Sequence, residues 1–113
     1  MANRTTTTEY SKMYVLIKDW VDTGHAVNTA CHAGAMIRSR GWPDDDPVMA
    51  DWYKTSFRKA TCAVTEEQFE KAKTYGLDYF SVQEMAFDSQ DIALVFKPRK
   101  EWPKFFSFLN LWK

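Results

Sequence analysis

A continuous apolar run from Met13 to Ile17 constrains the fold more than any other part of this sequence. Its side chains do not alternate with polar ones, as they do in a strand with one face in water, so the run predicts a central β-strand covered on both faces. A sheet built around such a strand needs helices on each side. The chain has 113 residues, 45% of them hydrophobic, which is enough for one domain of this kind.

The segment Gly24 to Ile37 follows this strand and predicts a helix that continues to about Arg40. On helical spacing, its small and apolar side chains fall on one stripe, which we expect to pack against the sheet. That stripe consists of Val27, Ala30, Cys31, Gly34 and Ile37. The opposite side, which we expect to be available for chemistry, carries His25, Asn28, Thr29 and His32.

Capping signals place two further helices. Asp46 followed by Pro47 is typical of a helix start. Thr65 and Gln68 form a capping box, and Gly76 suits the end of the helix that this box begins. Asp46 belongs to a run of three aspartates, which we interpret as a solvated cap cluster rather than a metal site, because no further ligand is spaced to join it.

The order of elements predicts the fold class. It is strand, helix, helix, strand, helix, strand, strand, helix, and the elements after the first helix are expected at 47–57, 59–64, 66–75, 78–84, 92–96 and from 103 onward. Strands separated by helices predict a parallel core with right-handed crossovers, and the short loop between the last two strands predicts an antiparallel pair. We therefore expect an α/β fold: a three-layer α/β sandwich with a four-stranded mixed sheet and helices on both faces.

The ends and the bulk composition suggest where the protein works. Residues 1–12 are polar and rich in threonine, so we expect a flexible tail ahead of a single domain over 13–113. No run approaches the roughly 18 apolar residues of a membrane span, and no signal-peptide pattern is present. Cys31 and Cys62 lack the CxxC spacing of redox or metal sites. We expect a reduced cytoplasmic protein that does not bind a membrane.

The charge distribution argues for a local nucleic-acid contact only. The formal net charge of the whole chain is zero, so no overall basic field attracts nucleic acid. Residues 97–113 nevertheless have a net charge of +4, and we expect an RNA backbone to bind there. The candidate RNA contacts are Lys97, Arg99, Lys100 and Lys104. The aromatic side chains of the expected C-terminal helix also suggest a homodimer.

Several short motifs along the chain stand in one order. The opening strand ends in Asp19, and Gly24, His25, Thr29, His32 and Ala33 follow on the first helix. Later come the capped segment Thr65 to Leu77, the pairs Gln83-Glu84 and Ser89-Gln90, and the closing segment Leu109 to Trp112. This order resembles the archaeal and eukaryotic type of peptidyl-tRNA hydrolase, an α/β family distinct from the usual bacterial enzyme. The resemblance covers nearly everything after the tail.

The resemblance implies hydrolysis of the ester between a peptide and the 3′ ribose of tRNA, with no metal or organic cofactor. At three positions this sequence departs from the family pattern. His25 stands where the family has lysine, Glu84 where it has aspartate, and Thr29 where it has glutamine. The loop after Glu84 is shorter than in the family and lacks its threonine.

The replaced residues suggest their own chemistry. His25 stands in the first turn of a helix, where a neutral base or donor fits better than a lysine-like cation. Glu84 can orient it or activate a water molecule. The polar candidates nearby are Asp88 and Ser89. We interpret Asp19 as a turn-former rather than an acid.

Two interpretations of these residues stay open. His25 is either a site residue or an exposed helix-start residue, and Glu84 is either catalytic or a plain carboxylate at a strand end. His32 lies about 10 Å further along the helix and either packs under the site or bonds a backbone carbonyl. The two histidines are seven residues apart rather than four, which argues against a zinc site. If catalysis is lost, the face with Asn28, Thr29 and His32 engages tRNA, a protein or a small ligand as a binding module.

Overall fold

The computed structural model describes residues 5–113, which fold around one five-stranded mixed sheet. In chain order the elements are β1 (Thr5–Lys18), α1 (Thr23–Met36), α2 (Pro47–Lys54), β2 (Arg58–Val64), α3 (Glu66–Ala72), β3 (Tyr79–Gln83), β4 (Asp91–Pro103) and β5 (Asn110–Leu111). The strand order across the sheet is β3-β4-β1-β2-β5. The α/β class is as expected, but the sheet has five strands rather than the four expected from the sequence.

Strand directions place one functional edge. β1 pairs parallel with β2 and antiparallel with β4, and β4 pairs antiparallel with β3. β1, β2 and β3 therefore run the same way, and their last residues, Lys18, Val64 and Gln83, meet at one end of the sheet. We call this end, with the segments that follow each of the three strands, the carboxyl edge. In sheets of this type ligands bind at the carboxyl ends of the strands.

The apolar run of β1 lies at the centre of the sheet and is buried on both faces, as its sequence predicts. Leu16 and Ile17 are both 0% exposed. Ile17 belongs to a cluster that includes residues of α1 and α2, such as Trp52. Leu16 belongs to a second cluster that includes Phe69 of α3. Alternate residues of β1 thus supply two separate cores, which is why the run contains no polar residue.

The expected caps are confirmed. The Asp46 side chain accepts hydrogen bonds from the backbone N–H groups at the start of α2. Thr65 and Gln68 form the reciprocal capping box of α3. Gly76 adopts a left-handed φ of 72° after the 3₁₀ turn that extends α3. This conformation is unfavourable for any residue that has a Cβ atom.

The expected flexible tail is wrong for residues 5–12, which form the first half of β1. Thr5, Thr6 and Thr7 pair with the last residues of β4. Threonine is β-branched and favours strands, so a polar run of this kind forms a strand once a long partner strand is present. Residues 1–4 of the expected tail lie outside the described residues.

The expected C-terminal helix is also wrong. β4 continues through Pro98 to Pro103, and a 3₁₀ turn over Lys104–Phe108 follows it. Phe106 and Leu109 are buried three residues apart, a spacing that a 3₁₀ turn serves as well as an α-helix does. The chain after Leu109 then pairs with β2 as β5, which is the strand that the sequence did not predict.

The expected packing stripe of α1 is wrong in phase. The residues of α1 that are buried are Ala26, Thr29 and Ala33, and Ile37 continues the same stripe in the next turn. Three residues expected to pack are exposed instead: Val27, Cys31 and Gly34. Small side chains lie on nearly every side of this helix, so the apolar pattern carries little information about its orientation.

Candidate active site at the carboxyl edge

Three segments of the carboxyl edge converge on the start of α1. The turn after β1 leads into the helix, with Asp19 N–H donating to the Val64 carbonyl of β2 at 2.8 Å. The segment after β3 begins with Glu84 and a 3₁₀ turn over Met85–Phe87, and the Phe87 ring contacts the His25 ring of α1. The segment after β2 contributes Glu66, which accepts the indole N–H of Trp20 in the turn after β1.

His25 is held by Asp22, the residue that caps α1. One carboxylate oxygen of Asp22 accepts the backbone N–H of His25 at 3.2 Å and lies 2.6 Å from the ring Nδ1. The hydrogen bonds from the His25 ring and then from its backbone hold the pKa of Asp22 below its usual value. Because the carboxylate can only accept, Nδ1 carries the proton of this bond, and in a neutral ring Nε2 is then the acceptor.

Two aromatic side chains, Phe87 and Trp20, lie beside His25. The ring of Phe87 lies 5.1 Å from the His25 ring and 5.2 Å from the Trp20 ring, both in edge-on geometry. The indole N–H of Trp20 donates to Glu66 at 2.9 Å, and Lys18 pairs with the same carboxylate at 3.1 Å. These two partners, Trp20 first, lower the pKa of Glu66. Trp20 therefore ties this aromatic pair to the start of α3.

Glu84 is held by α1 rather than by His25. Its Oε1 accepts the hydroxyl of Thr29 at 3.2 Å and lies 3.5 Å from Nε2 of His32. The Glu84 side chain is 15% exposed, whereas that of His32 is 50% exposed. Thr29 is fully buried, so its hydroxyl needs this acceptor.

The structure therefore gathers the sequence-predicted residues into two contact groups on one side of α1. Glu84, Thr29 and His32 form one group, and His25 belongs to the other with Asp22. The carboxylate that orients His25 is Asp22, not Glu84 as expected. His32 pairs with Glu84 instead of bonding a backbone carbonyl.

The remaining predicted site residues lie at the margin. Asn28 is exposed on α1, and Asp19 is exposed in the turn after β1, where its backbone N–H bonds β2. Asp88 and Ser89 are both left-handed, with φ of 57° and 58°. The Ser89 N–H donates to the Glu84 carbonyl at 2.9 Å, so this pair closes the turn after β3.

The basic C-terminal segment lies away from Glu84. β4 starts at the carboxyl edge and runs away from it, so Lys97 to Lys100 lie about 20 to 30 Å from Gln83 along the strand. Lys97 is paired with Asp46 at 2.7 Å, which lowers the pKa of that carboxyl. Lys100 is exposed and Lys104 is half-buried.

Sequence reasoning missed Asp22, Trp20 and Phe87. The signal for Asp22 was available, because an aspartate three residues before a histidine at a helix start can cap the helix and reach the ring. Trp20 and Phe87 had no signal in the sequence, since their contact joins two loops that are 67 residues apart.

Within residues 5–113, no group of three or more histidine, cysteine, aspartate or glutamate side chains is arranged to hold a metal ion. In the same part of the chain, no helix has the length and apolar character to cross a membrane. Comparison with models of known protein families gives no match to this chain, and comparison with curated proteins gives none either.

Proposed function

We propose that this chain hydrolyses the ester between a peptidyl or aminoacyl group and the terminal ribose of tRNA, at the carboxyl edge. The observation that carries the proposal is the contact of 2.6 Å between His25 and Asp22 at the start of α1. The His25 side chain is 44% exposed, so a substrate has access to its outer nitrogen. The motif order shared with peptidyl-tRNA hydrolases supplies the substrate class.

The chemistry follows from the two contact groups. Nε2 of His25 takes a proton from water as the water attacks the ester carbonyl, and Asp22 orients the ring and stabilises the imidazolium that forms. The bond from the carbonyl carbon to the ribose oxygen then breaks, and the imidazolium returns its proton to that oxygen, which releases the free acid and tRNA. Glu84 holds the ring of His32 about 10 Å away on the same side of α1. His32 therefore contacts a part of the substrate away from the reacting carbon.

The same proposal covers the finer fold and the setting. Helices α1 and α2 contribute to one core cluster and α3 to the other, which supports the three-layer α/β sandwich of that family. A cytoplasmic location and binding of tRNA are part of the proposal. That the chain forms a homodimer stays a prediction, which sedimentation at two concentrations tests.

Release of the acyl group from labelled peptidyl-tRNA tests the reaction. We expect His25→Ala to lower turnover by about 100-fold or more, because a general base contributes that much. Asp22→Asn keeps a helix cap but removes the charge that stabilises the imidazolium, so we expect a smaller loss of turnover. Asp51→Asn, which changes an exposed carboxylate on α2, is the control and should leave turnover unchanged.

A catalytically degenerate binding module is the second candidate. The observation in its favour is that Glu84 is already bonded by Thr29 and His32 and does not orient His25. Tight, salt-dependent tRNA binding without turnover would support the module and contradict the hydrolase. Release no faster than in the double variant His25→Ala, Glu84→Ala would also rule out hydrolysis at this edge.

A further inference from the structure

A cavity of about 490 Å³ opens on the face of the sheet that α3 covers. Its walls are mostly apolar and include the aromatic residues Tyr14, Trp102 and Phe106. Pockets that bind small molecules usually measure about 300 to 1,000 Å³ and have apolar walls with a few polar groups. α3 has only seven residues and covers the carboxyl half of this face, which leaves the cavity between the first half of β1 and the 3₁₀ turn.

Lys12 is the one charged residue among those that line this cavity in the described chain. Its ammonium lies 4.7 Å from the centre of the Tyr14 ring. Cys62 also lines the cavity, and burial raises the pKa of its thiol to about 11, so the thiol is neutral at physiological pH. The charge inside the cavity is therefore positive.

Two further cations flank Lys12 on the neighbouring strands. Lys12 is in register with Arg58 of β2 on one side and with Arg99 of β4 on the other. The Arg99 guanidinium lies 5.9 Å from the ring of Trp102, a cavity residue. Adjacent strands are about 4.8 Å apart, so the Cα atoms of these three cationic residues form a short row across the sheet.

Within residues 5–113, no ion pair involves Lys12, Arg58 or Arg99. Like charges directly opposite one another destabilise a sheet, so three neighbouring cations without an ion-pair partner create a positive field. An anion bound at the cavity would offset that field.

We infer that this cavity binds a small organic anion. Its apolar body packs against Tyr14, Trp102 and Phe106, and its acidic group pairs with Lys12, while Arg58 and Arg99 add to the attraction. The site lies six residues along β1 from Lys18, or about 20 Å from the carboxyl edge, and does not depend on the proposed hydrolase.

Fluorescence titration with anilinonaphthalene sulfonate, an aromatic anion, tests the inference. We expect Lys12→Gln to weaken binding by about tenfold or more, because a bond between charged groups is lost. Lys54→Gln, an exposed cation on α2, is the matched control and should bind the probe as the natural protein does. N-phenylnaphthylamine, the neutral analogue, should bind at least tenfold more weakly. Decanoate and naphthoate, as competitors, distinguish a flexible body from a flat one.

A second variant blocks the space without removing charge. Ala60 lines the cavity, and Ala60→Phe should abolish probe binding while the circular dichroism spectrum stays unchanged. If Ala60→Phe does not fold, Ser107→Trp, at an exposed lining position, makes the same test. Equal binding of the neutral analogue, or full binding by a folded blocked variant, would overturn the site. A third result would also overturn the site: the natural protein does not bind the small anion but binds single-stranded RNA, and Lys12→Gln weakens that RNA binding. The row of cations would then be an RNA contact.

Discussion

Asp22 joins two roles in one carboxylate. It caps α1 through the backbone N–H of His25 and holds the ring of the same residue through Nδ1. The position of the histidine therefore depends on where the helix begins. His25 has an orienting carboxylate only because the cap residue stands three residues before it.

Thr29 connects the core to the candidate site. Valine has the same shape as threonine without the hydroxyl, so a substitution can remove that group alone. Thr29→Val should lower the free energy of unfolding by about 1–2 kcal/mol, because Glu84 loses a hydrogen bond from a fully buried donor. Val27→Thr, the reverse change at an exposed position of the same helix, is the control and should stay within about 0.5 kcal/mol. Urea unfolding measures both. Equal effects would show that the bond to Glu84 does not matter for stability.

The two cysteines should differ in reactivity towards a thiol reagent near pH 8. Cys31 is exposed on α1, whereas Cys62 is buried and has a pKa raised to about 11. Because the thiolate is the reactive form, we expect Cys62 to react at least about a hundredfold more slowly than Cys31. Cys31→Ser should remove the fast phase. Two fast phases in the natural protein would contradict the burial of Cys62.

At this scale the sequence did not predict which side chains pair. His25, Thr29 and His32 lie on one side of α1, as their spacing indicated, but Thr29 is buried there rather than open for chemistry. Their partners depend on cap geometry and on how β3 approaches the helix, and neither is encoded in local spacing. Asp22 was therefore overlooked, although it lies only three residues from His25.

Helix α1 provides a test of its orientation through Gly34. Gly34 is exposed in the helix, and a Cβ built there meets nothing within 4 Å. Gly34→Ala should raise the free energy of unfolding by about 0.5–1 kcal/mol, because alanine loses less backbone entropy. Gly76→Ala should lower it by about 1–2 kcal/mol, because its φ of 72° is unfavourable for alanine. A destabilising Gly34→Ala, in urea unfolding, would place Gly34 on the packed face.

Elements with strong local signals were predicted correctly, and elements decided by distant pairing were not. Caps at Asp46 and Thr65 fixed α2 and α3 because these hydrogen bonds form within one turn. β5 and the first half of β1 form because they pair with strands far along the chain. Local spacing of aromatic residues after Pro103 fits a helix as well as a 3₁₀ turn, so it does not distinguish the two.

Across the whole molecule, β1 connects two chemically different ends. Its carboxyl end leads into Asp22 and His25, and its first half carries Lys12 beside the cavity. The sheet holds both ends rigidly, because the stretch between them is buried on both faces. We therefore expect a substitution at His25 to leave probe binding at the cavity unchanged, and a substitution at Lys12 to leave turnover at the carboxyl edge unchanged.

Stability should fall in acid through carboxylates that tie separate elements together. Asp46 caps α2 and pairs with Lys97 of β4, and this pairing lowers its pKa, as partners also lower those of Asp22 and Glu66. A carboxyl with a lowered folded pKa stabilises the protein fully above its unfolded pKa, near 4, and loses that effect as pH falls through the folded value. The urea midpoint should therefore rise as pH increases from the folded pKa values towards about pH 5.

Asp46→Asn isolates the share of one pair in this pH dependence. Asparagine still caps α2 but cannot ionise, so the variant should be less stable at neutral pH and its urea midpoint should rise less steeply with pH. Asp45→Asn, at the exposed neighbouring position, is the control and should keep the slope of the natural protein. An unchanged slope in Asp46→Asn would mean that the contact between α2 and β4 does not depend on the charge of Lys97.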